Sequence, residues 1–230
     1  LVARDPLRQT WIVVAAYNEA PVVGDVVAGL REYFGNVVVV DDGSLDDTAC
    51  VANLAGATVL QHPINRGQGA ALQTGITFAL QQGAQLLVTF DADGQHDPQD
   101  AKTLLVPLQD GSAHAVLGNR FSEHADSVPA GRRLLLKLAV VFSRLTSGAR
   151  LNDAHNGLRA FSREMAGHID ITLDGMAHAS EIADQIHRSG LPYTERPVRI
   201  AYTDHSQQKG QNWSAAFGIA WDYLVGRVLR

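Results

Sequence analysis

Residues 88–100 read VTFDADGQHDPQD, and this stretch changes character in the middle. Its first residues continue the apolar pair Leu86–Leu87, which is typical of a buried strand. The chain then places Asp91, Asp93 and Asp97 within seven positions. Carboxylates this close repel one another unless a cation joins them. The stretch therefore predicts a core strand whose tip is a functional edge.

The chain before this stretch alternates between short apolar runs and helical patterns. Val, Ile and Leu fill the runs almost without interruption, as in parallel strands that are covered on both faces. The runs are residues 11–16, 36–42, 57–62 and 84–93, and the helical patterns are residues 21–30, 45–56 and 70–83. This order predicts an α/β fold with a mostly parallel central sheet and helices on both faces.

Polar residues follow each of the four strands. The strand ends read AYNE (16–19), DDGS (41–44), HPINRGQG (62–69) and DADGQH (91–96). Ligands of open parallel sheets bind beyond the carboxyl ends of the strands. The sequence therefore predicts one ligand crevice that includes the acidic tip of the fourth strand.

Residues beyond 100 follow a looser pattern. We expect a strand ending at Asn119–Arg120 and an edge strand in the segment 192–204. The other expected elements are a basic apolar helix over 132–148, a turn and strand over 151–162, a helix over 176–190 and an amphipathic helix over 213–229. No repeat or low-complexity linker interrupts the chain, so we predict one domain over 1–204 and a C-terminal loop and helix over 205–230.

Composition is that of a globular protein, with 230 residues, 46% hydrophobic residues and a net charge of −5. The single cysteine, Cys50, excludes an internal disulfide framework, and its apolar neighbours predict a small buried side chain. We expect no signal peptide, and no uncharged apolar run approaches the ~20 residues that span a bilayer. Residues 1–126 carry 15 acids and 6 bases, whereas residues 127–230 carry 9 acids and 13 bases. This asymmetry favours an anion- or membrane-facing second half, with a solvated basic face as the alternative.

Asp91, Asp93 and Gln95 together offer hard oxygen ligands. Two carboxylates and an amide oxygen suit Mg²⁺ or Mn²⁺, which keep some waters and bridge substrate phosphates. The competing interpretation is an N-cap cluster for the helix that begins at Pro98, and we expect Asp97 to be such a cap. Capping needs one carboxylate, so the cation is the stronger interpretation for Asp91 and Asp93.

Two other turns could face a ligand. Asp41 and Asp42 either form an Asx-turn before the next helix or contact the ligand, and the turn alone leaves these alternatives even. The turn NRGQG (65–69) presents backbone N–H groups at a helix N-terminus beside Arg66, as a phosphate cradle does. It matches neither the Walker loop nor the G-x-G-x-x-G pattern.

Six motifs, in this order, resemble the family-2 inverting glycosyltransferases that use nucleotide sugars. They are VAAYNE (14–19), VVDDGSLDDT (39–48), NRGQGAALQTG (65–75), FDADGQHDP (90–98), GNRF (118–121) and NDAHNGLRAF (152–161). Within that family the chain most resembles the dolichyl- and polyprenyl-phosphate sugar synthases, such as dolichyl-phosphate mannose synthase. The Gln-x-x-Arg-Trp signature of processive synthases is absent.

The resemblance implies a Rossmann-like fold of the GT-A type and a UDP- or GDP-sugar bound across the strand ends. Base and ribose would lie against Ala15, Tyr17, Glu19 and Asp42. The implied donor-binding set as a whole is Ala15, Tyr17, Glu19, Asp41, Asp42, Arg66, Asp91, Ala92 and Asp93. Asp91, Asp93 and Gln95 would carry Mg²⁺ or Mn²⁺ on the pyrophosphate. Together with Arg66, the cation would stabilise the charge on the departing nucleoside diphosphate.

The resemblance also implies a polyprenyl phosphate acceptor, either dolichyl or undecaprenyl. Such a phosphate is already an anion, so it needs cations more than a strong base. The residues expected to hold it are Arg120, Arg132, Arg133 and Lys209. If the acceptor were a sugar hydroxyl, Glu181 or Asp153 would be the general base, although Asp153 could instead orient Arg159 or the metal edge. The predicted catalytic set is Asp91, Asp93, Arg120, Asp153 and Glu181.

The second half also predicts how the enzyme meets a lipid. The helix over 132–148 resembles an interfacial helix, with a core helix carrying snorkelling bases as the alternative. The aromatic stripe of the terminal helix suits a membrane boundary, a dimer contact or packing on the sheet. We expect a cytoplasmic protein, peripheral at the inner face of the membrane, that binds the surface itself or an integral partner. A homo-oligomer is an alternative, and no nucleic-acid partner is expected.

Two other functions stay open at this point. One is transfer to a sugar hydroxyl of a glycan or lipid-linked saccharide, and the other is non-catalytic binding of a nucleotide sugar. The presence of Asp91, Asp93 and Gln95 favours an enzyme, because a protein without catalysis could lose its metal ligands.

Overall fold

The computed structural model describes residues 6–120, 152–153, 156–173, 175 and 177–201. The helices are α1 Pro6–Gln9, α2 Ala20–Arg31, α3 Thr48–Leu54, α4 Gln68–Gln81, α5 Pro98–Gln109, α6 Arg163–Ala166 and α7 His178–Ser189. The strands are β1 Trp11–Ala16, β2 Asn36–Asp41, β3 Thr58–Gln61, β4 Leu86–Asp91, β5 Ala115–Asn119, β6 Arg159–Ser162 and β7 Tyr193–Pro197. The predicted alternation of strands and helices up to α5 is confirmed.

The seven strands of the described residues form one sheet in the order β3-β2-β1-β4-β6-β5-β7. Neighbours pair in parallel except at β6, which runs antiparallel to both β4 and β5. This reversal brings Arg159, the first residue of β6, between Thr89 and Leu117 near the ends of β4 and β5. The mostly parallel sheet is confirmed, and β7 is the predicted edge strand.

Apolar side chains cover both faces of the sheet. On one face Ile12 and Val14 of β1 pack with residues of α2, α3 and α5, and on the other face Val13 packs with residues of α4, α6 and α7. All three side chains are fully buried, and each such burial contributes about 1.5–3 kcal/mol. A strand between two helical layers needs apolar residues at successive positions, because alternate side chains enter different cores. Both faces are thereby covered by helices, so the polar residues gather at the carboxyl ends of the strands.

Helix α4 approaches the sheet closely at Gly75. A Cβ atom at this position would lie closer than 3.0 Å to Val13 Cγ1. The missing side chain lets α4 lie directly on β1. As a result, the first residues of α4 reach the polar ends of β2 and β4, where Gly67 and Gln68 donate hydrogen bonds to Asp42 and Asp91.

Helix ends follow their local signals. Asp97 caps α5 as predicted, because its Oδ1 accepts a hydrogen bond from the Gln99 backbone N–H at 2.8 Å. Gly190 ends α7 in the left-handed conformation, with φ of 71°, which costs glycine no Cβ clash. The predicted burial of Cys50 is wrong: α3 buries only Thr48 and Ala52, and the cysteine lies on its exposed side.

Several predicted features lie outside the described residues. They are the helix over 132–148 with Arg132 and Arg133, the residue Lys209, and the helix over 213–229. The domain division after residue 204 stays a prediction. Within the part of the chain that is described, no helix combines the length and the hydropathy needed to cross a bilayer.

Candidate active site

The loops after β1 and β2 are bound to each other at the carboxyl edge of the sheet. Asn18 adopts a left-handed conformation with φ of 54°, which asparagine tolerates better than most residues. Its backbone N–H donates to Ser44 Oγ at 2.9 Å, and its Oδ1 accepts from the Leu45 N–H at 2.8 Å. The bonded loops place Tyr17, which is 41% exposed, and the buried Glu19 beside the crevice.

Asp41 and Asp42 are both buried, and both organise turns. Asp41 accepts from the Ser44 N–H at 3.1 Å. Asp42 accepts from His62 Nδ1 at 2.6 Å and from the backbone N–H groups of Arg66 and Gly67 at 3.0 and 2.6 Å. Two of the backbone donors expected to cradle a phosphate are therefore directed at Asp42. This carboxylate shapes the glycine-rich turn, and its contact with a nucleotide stays a prediction.

The side chain of Arg66 lies on the outside of this turn. It is exposed and lines a cleft of about 400 Å³ with Leu60, Thr74 and Phe78. None of the other residues predicted to bind the donor lines this cleft. Ala15, by contrast, pairs directly with Asp91 between the parallel strands β1 and β4, and Ala92, the next residue, is buried.

Asp91 is held by donors from two sides. Gln68 Nε2 donates to Oδ1 at 3.0 Å, and His96 Nε2 lies 3.1 Å from Oδ2. Burial alone would raise the pKa of Asp91, but the hydrogen bond and charge of His96, with Arg159 and His178, outweigh it and lower the pKa. Asp91 is therefore a fixed anion at neutral pH, because a stabilised carboxylate resists protonation.

Asp93 has the opposite electrostatic environment. Its Oδ1 accepts from the Gln95 N–H at 3.0 Å. Burial, and then repulsion by Asp91, raise the pKa of Asp93 above 3.8. A cation would relieve both effects at once, because it compensates desolvation and separates two like charges.

The predicted metal ligands thus fit a hard divalent cation. Asp91, Asp93 and Gln95 follow one another at the end of β4, and all three are at least partly accessible. No group of three or more His, Cys, Asp or Glu residues able to hold a metal occurs in the described part of the chain. Mg²⁺ and Mn²⁺ do not require one, since a pair of carboxylates, waters and substrate phosphates complete their coordination.

His96 was not assigned a role from the sequence, although it lies within the DADGQH segment. Its side chain is buried, packs edge-on against Phe90 with ring centroids 5.6 Å apart, and bonds to Asp91. Because an ionised carboxylate only accepts hydrogen bonds, His96 Nε2 is the donor. The backbone of this segment also receives a hydrogen bond from the Ala201 N–H to the Gln95 carbonyl at 2.9 Å. His96 thus fixes the orientation of Asp91.

Replacing His96 by glutamine or by asparagine tests this orienting role with a matched pair. Glutamine can put an amide N–H where Nε2 lies, whereas asparagine reaches only the position of Nδ1. We expect His96→Asn to weaken activation by Mn²⁺ about 10-fold or more, and His96→Gln to stay within about 3-fold of wild type. The measurement is the rate of sugar transfer against Mn²⁺ concentration. Equal losses in the two variants would contradict an orienting role.

Arg120 and Asp153 form a buried ion pair at the end of β5. Asp153 Oδ2 accepts from Arg120 Nε at 2.6 Å and from the Arg120 backbone N–H at 3.1 Å. Arg159 lies close enough to interact electrostatically with both Asp91 and Asp153. Burial lowers the pKa of Arg159 to about 10, although the two carboxylates act in the opposite direction. Positive and negative groups therefore alternate from Asp91 through Arg159 to Asp153 and Arg120.

Glu181, the other general-base candidate, serves the loop before α7. It is buried and accepts from the Thr172 N–H at 3.0 Å, the Thr172 hydroxyl at 2.7 Å and the Leu173 N–H at 2.9 Å. Both carboxylates that the sequence offered as general bases are thus engaged by protein donors. Their direct role in catalysis stays a prediction.

The site also includes residues that the sequence did not assign to it, namely Gln68, His96, Gly157 and His178. Gln68 lies in the motif NRGQGAALQTG and His96 in the motif FDADGQHDP. Their position in these motifs could have indicated that they belong to the site. His178 had no such signal, because it comes from the start of α7, far along the chain from Asp91.

Comparisons with known proteins agree on family. The family described as glycosyl transferase family 2 matches residues 11–169. Polyprenol monophosphomannose synthase of Mycolicibacterium smegmatis is 34% identical over 249 residues, covering 98% of this chain and 91% of that protein. UDP-N-acetylglucosamine–dolichyl-phosphate N-acetylglucosaminyltransferase of Methanococcus voltae is 28% identical over 244 residues, covering 95% and 97%.

A solved structure agrees on fold. Glucosyl-3-phosphoglycerate synthase from Mycobacterium tuberculosis, in complex with Mn²⁺, UDP and glucosyl-3-phosphoglycerate, aligns with a TM-score of 0.70. The alignment covers 94% of this chain and 77% of that chain at 19% identity. The GT-A type fold expected from the motifs is confirmed.

Proposed function

This chain belongs to glycosyl transferase family 2, and on that premise we propose that it transfers a sugar from a nucleotide-diphosphate sugar to a polyprenyl phosphate. Two relatives that match nearly its whole length are named for transfer to dolichyl phosphate and for polyprenol monophosphomannose synthesis. The single observation that carries the proposal is the alternation of charges between Asp91 and Arg120. It supports a crevice in which a cation would lie at the end of β4 and Arg120 would bind an anion.

The donor would lie across the ends of β1, β2 and β4. Asp91, Asp93 and Gln95 would hold Mg²⁺ or Mn²⁺ on the diphosphate, with Asp91 oriented by Gln68 and His96. When bound, the cation would supply charge neutralisation for the departing nucleoside diphosphate. Tyr17 offers an exposed aromatic face to the base at the edge of the crevice.

The acceptor phosphate needs no general base, because it attacks as an anion. One of its oxygens forms a bond to the anomeric carbon while the bond from that carbon to the diphosphate oxygen breaks, which inverts the configuration. No proton moves in this step. This agrees with a site in which Asp153 and Glu181 are both engaged by protein donors. Arg120 donates to Asp153 through Nε, and its terminal N–H groups would donate to the phosphate.

The proposed acceptor brings the enzyme to a membrane surface. We propose that it acts as a peripheral protein at the cytoplasmic face, and that residues 205–230 form a separate segment for contact with the surface or a partner. Vesicle flotation with and without residues 205–230 tests this assignment. Equal binding of both forms would refute a surface role for that segment.

A transfer assay tests the proposed reaction. The purified protein is incubated with Mn²⁺, labelled UDP- and GDP-sugars, and either polyprenyl phosphate or soluble glycans. We expect label in the lipid fraction with one donor and release of the matching nucleoside diphosphate. Label only in glycans would replace the lipid acceptor by a sugar hydroxyl. Tight donor binding without turnover on any acceptor would identify a sensor.

Replacing Arg120 by alanine should weaken acceptor binding selectively. We expect the KM for polyprenyl phosphate to rise about 10-fold or more, with the donor KM within about 2-fold of wild type, because a charge-assisted contact is lost on one substrate only. The control is Arg188→Ala, which removes an exposed arginine paired with Asp184 on α7. Equal changes in both KM values would show that Arg120 acts on the whole site.

A further inference from the structure

A carboxylate on the edge strand β7 holds the segment that carries Asp153. Glu195 Oε1 accepts from the backbone N–H groups of Asn152 and Asp153 at 2.8 and 3.0 Å, and Oε2 accepts from Asn152 Nδ2 at 2.6 Å. We propose that Glu195 is a positioning residue that orients Arg120 through Asp153 and so sets affinity for the acceptor phosphate. The last part of this statement rests on the proposed function.

The sheet places Glu195 where it can do this. Strand β7 runs parallel to β5, and Glu195 pairs with Leu117, three residues before Arg120. The chain that leaves β7 stays attached to the end of β5, because the Val198 N–H donates to the Asn119 carbonyl at 3.2 Å. Glu195 thus lies on the strand next to β5, and Arg120 is the residue that directly follows β5.

Three hydrogen bonds to one carboxylate fix the position of Asp153. Two successive backbone N–H groups converge on one oxygen of Glu195, and the Asn152 amide occupies the other. Hydrogen bonds to a charged group are stronger than neutral ones. The backbone of Asp153 is therefore held against β7, while its carboxylate is bonded to Arg120.

Asp153 passes this constraint to Arg120. The same oxygen, Oδ2, receives both the backbone N–H and Nε of Arg120, so main chain and guanidinium share one anchor. Arg159 lies nearby with the same charge as Arg120. Without a firmly placed Asp153, the repulsion between the two arginines would turn Arg120 away. The orientation of the Arg120 guanidinium is thus set by Glu195 through Asp153.

Glu195→Gln removes the anchor while keeping the size of the side chain. An amide has one acceptor oxygen, so its NH₂ group must face either the two backbone N–H groups or the Asn152 NH₂. We expect the KM for polyprenyl phosphate to rise about 10-fold, with donor KM and Mn²⁺ dependence within about 2-fold of wild type. In the background of Arg120→Ala the same substitution should add little, because both changes act on one contact.

Hydrogen exchange tests the relay, which runs from Glu195 through Asp153 to Arg120, in the absence of any acceptor. In Glu195→Gln we expect faster amide exchange in peptides containing Arg120 and Asp153, and unchanged exchange in β4. The matched control is Asp100→Asn, since Asp100 Oδ2 accepts from the Arg199 N–H at 2.8 Å in the same segment without contacting Asp153. If Glu195→Gln does not fold, Asn152→Ala removes only the amide part of the anchor.

The outcomes separate the relay from the proposed reaction. Faster exchange at Arg120 together with a selective rise in acceptor KM supports both. If Glu195→Gln shows faster exchange at Arg120 but the wild-type protein transfers no sugar to polyprenyl phosphate, the relay is supported and the proposed acceptor is refuted. Unchanged exchange at Arg120, equal rises in both KM values, or full additivity with Arg120→Ala would overturn the relay.

Discussion

Replacing Asp93 by asparagine is expected to lower the rate of sugar transfer about 1,000-fold or more, while the fold persists. Asparagine keeps the oxygen that accepts from the Gln95 N–H but lacks the charge that a divalent cation requires. The measurement is kcat with saturating donor and Mn²⁺. Asp110→Asn, at an exposed carboxylate beyond α5, is the control and should behave as wild type. Near-normal turnover of Asp93→Asn would contradict the metal assignment.

The raised pKa of Asp93 gives the same variant a second expected result. Burial and Asp91 disfavour the ionised form, so ionised Asp93 opposes folding at any pH above its raised pKa. Asparagine removes this penalty. We expect metal-free Asp93→Asn to melt at or above the temperature of wild type at pH 7, and to gain nothing from Mn²⁺ with UDP. A lower melting temperature would mean that Asp93 stabilises the metal-free protein.

The raised pKa of Asp93 also predicts how stabilisation of the wild-type protein by Mn²⁺ with UDP depends on pH. As the pH falls through the raised pKa of Asp93, protons compete with the cation for this carboxylate. The rise in melting temperature caused by Mn²⁺ with UDP should therefore shrink in acid before an ordinary aspartate, with a pKa near 3.8, would titrate. Thermal shifts measured at decreasing pH test this, and a shift that persists until ordinary aspartates titrate would contradict this role of Asp93.

Replacing Gly157 by alanine is the second substitution with a large expected effect. A Cβ atom there would lie closer than 3.0 Å to both carboxylate oxygens of Asp91. Asp91 cannot retreat freely, since Gln68 and His96 hold it. We expect a loss of about 1–3 kcal/mol in the free energy of unfolding, and a fall of about 100-fold in turnover because a misplaced group loses catalytic geometry.

Gly24→Ala separates these two effects. A Cβ atom at this position of α2 would lie 3.0 Å from Val51 Cγ1 of α3 and would contact none of the residues that hold Asp91. We expect a loss of stability no larger than that of Gly157→Ala, and near-normal turnover per folded molecule. Denaturant unfolding and kcat below the melting temperature are the measurements. If both glycine variants lose turnover alike, instability rather than the position of Asp91 explains the loss.

The sequence was sufficient for the elements and for the edge that carries the site. Apolar periodicity located β1 to β4 and the helices between them, and Asp97 and Gly190 marked helix ends through bonds made within a few residues. Six motifs in order were sufficient for the family. These features depend only on residues that are close in the chain, so they can be predicted from the sequence.

The partners of the buried charged residues could not be predicted from the sequence. Nothing local distinguishes Asp42, which shapes a turn, from Asp93, which faces the crevice, because the difference lies in which distant donors reach each carboxylate. Cys50 shows the same limit, since its apolar neighbours do not tell which side of α3 meets the sheet.

The strand and helix order, the acidic tip of β4 and the family follow from the sequence alone. The fold adds that β6 runs antiparallel between β4 and β5, which brings Arg159 and Gly157 to Asp91, and that β7 brings Glu195 to the Asp153 segment. These neighbours could not be predicted because strand direction and register depend on long-range backbone pairing. That pairing chooses the neighbours of each charged group and thereby its pKa.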